Sequence, residues 1–258
     1  MNQGPVEFNW AQYLNNNPDL VRAGITTEAS AILHYCRHGQ SEERSILNPR
    51  DESYRLEEGG RRHVIHPLDP VFKVLLEATG DWSRAWRAYL AGGRASVRIL
   101  DSLLTTHHDG ALTLLEFGAG FGRLTRHMTD HLAGIMVRSC DPDPHAVSFL
   151  HTVIRMEALP QGRALGQQTQ YDVVFVPSLF IRVPPAKWAT WLSRLLCLVR
   201  QGGVLVFVCT GGEVGPADTH GSFVRERISE LETGKLIDHQ AGAWPGSRDI
   251  YIVRRERK

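Results

Sequence analysis

The chain has 258 residues, of which 42% are hydrophobic and 22% charged, with a formal net charge of +1. That length holds one full α/β domain plus a small appendage, and the composition can fill a sizeable core. The near-neutral balance gives no field pointing to nucleic acid or an anionic membrane, and no apolar run approaches the ~20 residues of a membrane helix.

The opening Met1-Asn2-Gln3-Gly4-Pro5 has no basic region leading into an apolar stretch, so no secretory leader is expected and the cytoplasm is the expected compartment. Cys36, Cys140, Cys197 and Cys209 form no Cys-x-x-Cys pair and read as reduced core cysteines, three of them in or beside apolar segments expected to be buried.

Residues 1–50 read as a small helical module. Pro18 can open a short helix that Gly24 ends, and Ala31, Leu33, His34 and Tyr35 suit a second one closed by Gly39. Residues 51–63, mostly charged or glycine, read as a linker. From Val64 onward strands and helices alternate, so 64–258 reads as the main domain.

Within it, Val71, Val74 and Leu75 suggest a helix, and after a break at Gly92-Gly93 the spacing of Val97, Leu100, Leu103 and Leu104 predicts another. Leu112 to Phe117 is a strand candidate running into Gly118-Ala119-Gly120-Phe121-Gly122, after which Leu124, Met128 and Leu132 line one helix face. Ile135 to Cys140 predicts a second strand, ended by Asp141-Pro142-Asp143-Pro144, and Val147, Leu150 and Ile154 continue as a helix. Asp172 to Val176 is a third strand. A helix carrying Trp188, Leu192, Leu195 and Leu196 follows, then a fully apolar strand, Val204 to Val208, as in the interior of a parallel sheet. A last helix with Val224, Ile228 and Leu231 precedes strands near Leu236 and at Ile250 to Val253. The alternation implies a doubly wound α/β sheet with ligands at the carboxyl ends of its strands.

The glycine loop carries the chemistry because it follows a strand and opens a helix, so bare backbone can approach a ligand. A dinucleotide fingerprint would put the third glycine one residue later, where this chain has Arg123. Glu116, at the end of the strand, either orients the amino-acid end of a zwitterionic cofactor or caps the loop. Asp141 ends the neighbouring strand, where an acid can accept both ribose hydroxyls; Asp143, flanked by prolines, suits the following helix start.

These motifs resemble those of class I S-adenosylmethionine-dependent methyltransferases. Leu114 to Leu124 resembles the family's first motif, Tyr171 to Phe180 its fourth-strand motif, and Leu198 to Phe207 its turn and fifth strand, in the family's order. The resemblance implies a mostly parallel seven-stranded sheet, S-adenosylmethionine as cofactor and a small-molecule acceptor. It implies cofactor contacts from Glu116, Gly118, Ala119, Gly120, Gly122, Asp141, Pro177 and Ser178. Two departures stand out: Arg155 to Gln170 lacks an Asp for the adenine amino group, and Arg182 follows the fourth strand where many relatives have a His. Tyr13-Leu14, Asn17-Pro18-Asp19-Leu20, Gly24, His34-Tyr35, Gly39 and Glu43-Arg44 resemble a short module found with bacterial glycan-modifying proteins, which turns the acceptor expectation toward saccharides.

Other signals weigh less. His127 and His131, four apart, lack the intervening Glu of a metalloprotease motif and read as a polar helix shoulder, so no metal site is expected. Trp188 and Trp191 fit the apolar stripe of their helix, whereas Trp82, Trp86 and Tyr89 suit either a lid or packing. His220, in the segment after the fifth strand, is the candidate base, with His239 second. The expected function is methyl transfer to a polar small molecule; the alternative is a catalytically degenerate binding or scaffold subunit of a glycan-synthesis complex.

Overall fold

A computed structural model describes residues 10–39, 42, 44, 55–58, 61–66, 68–107, 112–166, 169–210 and 221–257. They fall into two compact units, Met1–Asp69 and Pro70–Lys258.

The first unit holds α1 (Trp10–Asn16), α2 (Pro18–Arg22) and α3 (Glu28–His34). Pro18 sits in the first turn of α2, where its missing N–H costs nothing, and Gly24 leaves that helix at φ 87°. α3 starts before Ala31 because Thr27 and Ser30 form a reciprocal cap, each side chain accepting the other's backbone N–H. Tyr13, Leu14, Leu20 and Ala31 make the small core, and the Tyr13 hydroxyl lies 2.8 Å from His34 Nδ1. Within and just beyond the stretch read as a linker, β1 (Arg55–Glu58) pairs antiparallel with β2 (Arg61–Val64). Their register sets Arg55 across from Val64 and Glu58 across from Arg61.

The second unit is built on seven strands: β3 (Leu112–Phe117), β4 (Ile135–Asp141), β5 (Ala158–Pro160), β6 (Tyr171–Val176), β7 (Val199–Thr210), β8 (Gly234–Trp244) and β9 (Arg248–Arg255). Their order is β5-β4-β3-β6-β7-β9-β8, parallel throughout except for β9, which runs antiparallel to both β7 and β8. The winding reverses between β3 and β6, which opens a crevice at their carboxyl ends.

The strands' period of two divides the core between the sheet's faces. Leu115, Phe117, Val174, Val176, Leu205 and Phe207 pack with Trp188, Leu192 and Leu195 of α9 (Trp188–Leu198) and Val224 and Ile228 of α10 (Gly221–Ser229). Leu114, Val173, Phe175, Val204 and Val206 pack with Val97, Leu100 and Leu104 of α5 (Trp82–His107) and Met128 of α6 (Thr125–His131).

Two expectations are corrected here. Helix α5 runs straight through Gly92-Gly93, because these glycines admit a close neighbour: a Cβ on Gly93 would lie 2.4 Å from the Arg123 carbonyl and 2.9 Å from His127 Cδ2. The helix expected around Val71, Val74 and Leu75 is α4 (Pro70–Thr79); its buried residue is Phe72, while Val74 is 62% exposed. Phe72 is drawn inward by Trp82, Trp86 and Tyr89, with ring centroids 5.0 to 5.9 Å away. Of the cysteines, Cys140 and Cys209 are buried but Cys197 is exposed on α9. β5 and α8 (Gln161–Gly166) escaped the reading, since a three-residue strand leaves no periodicity to detect. Among the described residues no helix is long and apolar enough to cross a membrane.

Candidate active site at the carboxyl ends of β3, β4 and β6

Beyond Phe117 the chain turns through Gly118 (φ 80°), Gly120 (φ 55°) and Gly122 (φ 74°), a region that side chains strain to enter. The three glycines do different work. A Cβ on Gly120 would meet nothing within 4 Å, and one on Gly118 would meet only Ser178 Oγ at 4.0 Å, so this part of the loop presents bare backbone to open space. A Cβ on Gly122 would lie 2.9 Å from Leu150 Cδ2; that glycine serves packing.

The loop is tied to β4. Gly118 and Ala119 both donate their N–H to the Cys140 carbonyl, at 2.8 and 3.1 Å. Gly120 donates to Asp141 Oδ2 at 2.7 Å, while Asp143 N–H donates to Asp141 Oδ1 at 2.9 Å. Burial raises the Asp141 pKa, and the two N–H bonds and the nearby Arg182 charge oppose that rise. A carboxylate has about four acceptor positions, so two remain on Asp141 after these bonds. Asp143 is occupied otherwise: its side chain accepts the His145 N–H at 2.8 Å and caps α7 (Pro144–Phe149).

Glu116, two residues before Gly118 on β3, is 1% exposed. Thr125, at the start of α6, donates its hydroxyl to Glu116 Oε2 at 2.6 Å, and Ser139 of β4 donates to the same oxygen at 3.3 Å. Burial pushes the Glu116 carboxyl up to about 7 against these two bonds, with the Asp141 charge adding to the rise. Thr125 and Ser139 went unnoticed in the sequence, because Thr125 is followed by Arg126-His127 and Ser139 is preceded by Arg138, so no local pattern marks either as a partner of Glu116.

Across the crevice, β6 ends in buried Pro177 and half-buried Ser178, whose hydroxyl faces Gly118. On the other side, register sets Pro160 beside Asp141, so half-buried Gln161 follows at the tip of β5. The structure therefore brings together Gly118, Ala119, Gly120, Asp141 and Ser178, with Glu116 buried nearby in β3.

The remaining candidates fare differently. His220 lies outside the described residues. His239 Nδ1 accepts from Arg225 at 2.9 Å, which leaves the proton on Nε2 to be donated to Asp249 Oδ2 at 3.0 Å. With both nitrogens engaged and its ring stacked on Tyr251 at 4.3 Å, His239 is held as a strut between α10 and β9 rather than presented as a base. His127 is buried against Gly93 instead of forming a polar shoulder, because α5 approaches so closely there. Trp188, Trp86 and Tyr89 are buried packing residues. Among the described residues no group of three His, Cys, Asp or Glu could hold a metal ion.

This strand order, with one antiparallel strand inserted next to the edge and a glycine loop after β3, is the class I S-adenosylmethionine-dependent methyltransferase fold. The chain matches no family model and no curated protein. Among solved structures it resembles magnesium protoporphyrin IX methyltransferase from Synechocystis with bound S-adenosylmethionine, at 13% identity and TM-score 0.52, over 74% of this chain and 100% of that one. It also resembles an S-adenosylmethionine-dependent methyltransferase from Clostridium acetobutylicum, at 10% identity and TM-score 0.54, over 72% of this chain and 97% of that one. A TehB-like methyltransferase from Corynebacterium glutamicum aligns at 17% identity and TM-score 0.51, over 70% and 99%. At these identities the likeness is one of fold.

Proposed function

We propose that this chain transfers the methyl group of S-adenosylmethionine to an oxygen of a polar small molecule of the saccharide class. The observation that carries the cofactor half is the pairing of open backbone at Gly118 and Gly120 with a carboxylate, Asp141, that keeps acceptor positions after bonding the loop. The donor, when bound, supplies an electrophilic methyl on a sulfonium. Asp141 accepts its ribose hydroxyls, and the Gly118–Gly120 backbone receives its amino-acid end at close range. Gln161, next to Pro160, offers an amide that both donates and accepts toward the adenine edge in place of the missing Asp. Glu116 supports the loop from β3.

In-line displacement needs few catalytic side chains, because holding two reactants in line supplies much of the acceleration. Ser178 and Pro177 border the reacting region from β6, and His220, adjacent in sequence to Gly221 at the start of α10, is the proposed base for an oxygen nucleophile. The saccharide assignment rests on the N-terminal module's resemblance. Incubation with S-adenosylmethionine and a panel of sugars and sugar nucleotides, followed by mass spectrometry, tests it: a gain of one methyl on an oxygen supports it. Donor binding with no transfer to any acceptor would favour the binding-subunit alternative, for which the absent adenine Asp and the presence of Arg182 speak.

A further inference from the structure

Glu116 is a charged residue type placed where charge is costly. It is 1% exposed, and the groups bonded to it are two hydroxyls, those of Thr125 from α6 and Ser139 from β4, both on Oε2. Its register partners are Phe175 on β6 and Ser139 on β4, and burial pushes the thiol of the next β4 residue, Cys140, up to about 12, which keeps it neutral. The charge that acts on it belongs to Asp141 and has the same sign. A buried carboxylate without a cation is stabilised by taking up a proton. Yet this residue sits two positions before Gly118, where the backbone proposed to receive a donor bearing a sulfonium and an ammonium begins, and it is within electrostatic reach of Asp141.

We propose that Glu116 is a proton-linked positioning residue: it is protonated in the ligand-free protein near neutral pH and releases that proton to the solvent when the cationic donor binds over the loop. No bond other than Glu116 O–H breaks, and the buffer takes the proton. The inference rests on the proposed use of S-adenosylmethionine. The carboxyl's rise to about 7 places the effect in an accessible range. Binding a cation lowers the pKa of a nearby acid, so by linkage the affinity must fall as pH drops below the ligand-free value.

The test is titration calorimetry of the full chain with S-adenosylmethionine between pH 6 and pH 8, in buffers of different ionisation enthalpy, beside Glu116→Gln. The donor's own amino group contributes equally with both proteins, so the difference between them belongs to Glu116. Wild type should bind about tenfold more weakly at pH 6 than at pH 8 and release about half a proton more than the variant at pH 7. Identical pH dependence and proton release in the two proteins would overturn the proposal, whereas absence of binding by wild type at any pH would sink the cofactor assignment itself. Should the variant not fold, infrared difference spectra of wild type decide the matter. Loss of a protonated-carboxyl carbonyl band on adding S-adenosylmethionine supports the proposal, and an unchanged band refutes it.

Discussion

The backbone N–H of Gly120 reaches across from the glycine loop to Asp141 Oδ2 at 2.7 Å, joining the loop after β3 to the tip of β4. One short bond thereby fixes the distance between the two features that the cofactor assignment requires. It also explains how a loop built on three left-handed glycines holds a single shape: the ties to Cys140 and Asp141 over-determine it.

Asp141→Asn tests that junction. The amide keeps the volume but loses the charge and one acceptor, and hydrogen bonds to charged groups are worth about 1.5–3 kcal/mol. S-adenosylmethionine affinity should fall about ten- to a hundredfold, measured by calorimetry, with the circular dichroism spectrum unchanged. An unaltered dissociation constant would remove Asp141 from the ribose site.

Two glycine substitutions should separate binding from packing. At Gly120 an alanine meets no protein atom and adds about 1–2 kcal/mol of backbone strain, so its main effect should fall on donor affinity. At Gly93 an alanine would press on the Arg123 carbonyl and His127, and overpacking of that kind costs about 1–3 kcal/mol. Urea denaturation should show Gly93→Ala as the more destabilised variant and donor titration should show Gly120→Ala as the weaker binder; the reverse order would contradict both assignments.

The stability of the ligand-free protein should carry the signature of Glu116. Its folded value is raised from the ordinary 4.5 to about 7. A raised acid favours folding below its unfolded value and loses that contribution as pH climbs through its folded value. Wild type should therefore lose up to about 3 kcal/mol relative to Glu116→Gln between pH 4.5 and pH 7.5. Parallel stability curves for the two proteins in denaturant would show that Glu116 is not so perturbed.

Gln161 is proposed to face the adenine because it follows Pro160, the register partner of Asp141. Gln161→Ala should weaken S-adenosylmethionine binding about three- to tenfold, the worth of a neutral hydrogen bond. The same substitution should change little toward a donor analogue lacking the exocyclic amino group. Equal losses with both ligands would place Gln161 elsewhere.

Much of this site is legible in the sequence because its signals are local. Leu112 to Phe117 reads as a strand and is one over those residues, since an apolar run ending in Gly-x-Gly leaves little choice. Asp141 stands out by lying at a strand end before Pro142. What sequence could not convey are relationships set by tertiary approach. Gly92-Gly93 has the look of a helix break and is in fact a place where Arg123 and His127 come too close for a side chain. Glu116 reads as open to a ligand until Thr125 and Ser139 are seen to close around it from two other elements. Gln161 matters only because β5 pairs with β4 at Asp141, a register that three residues of strand do not announce.

The central claim, that the crevice over Gly118, Gly120 and Asp141 holds S-adenosylmethionine, is tested most directly by titration calorimetry at pH 8. Saturable binding at one site per chain, with affinity lost on Asp141→Asn and no heat from NADH, is the predicted result. No binding at millimolar S-adenosylmethionine by a folded protein would contradict it.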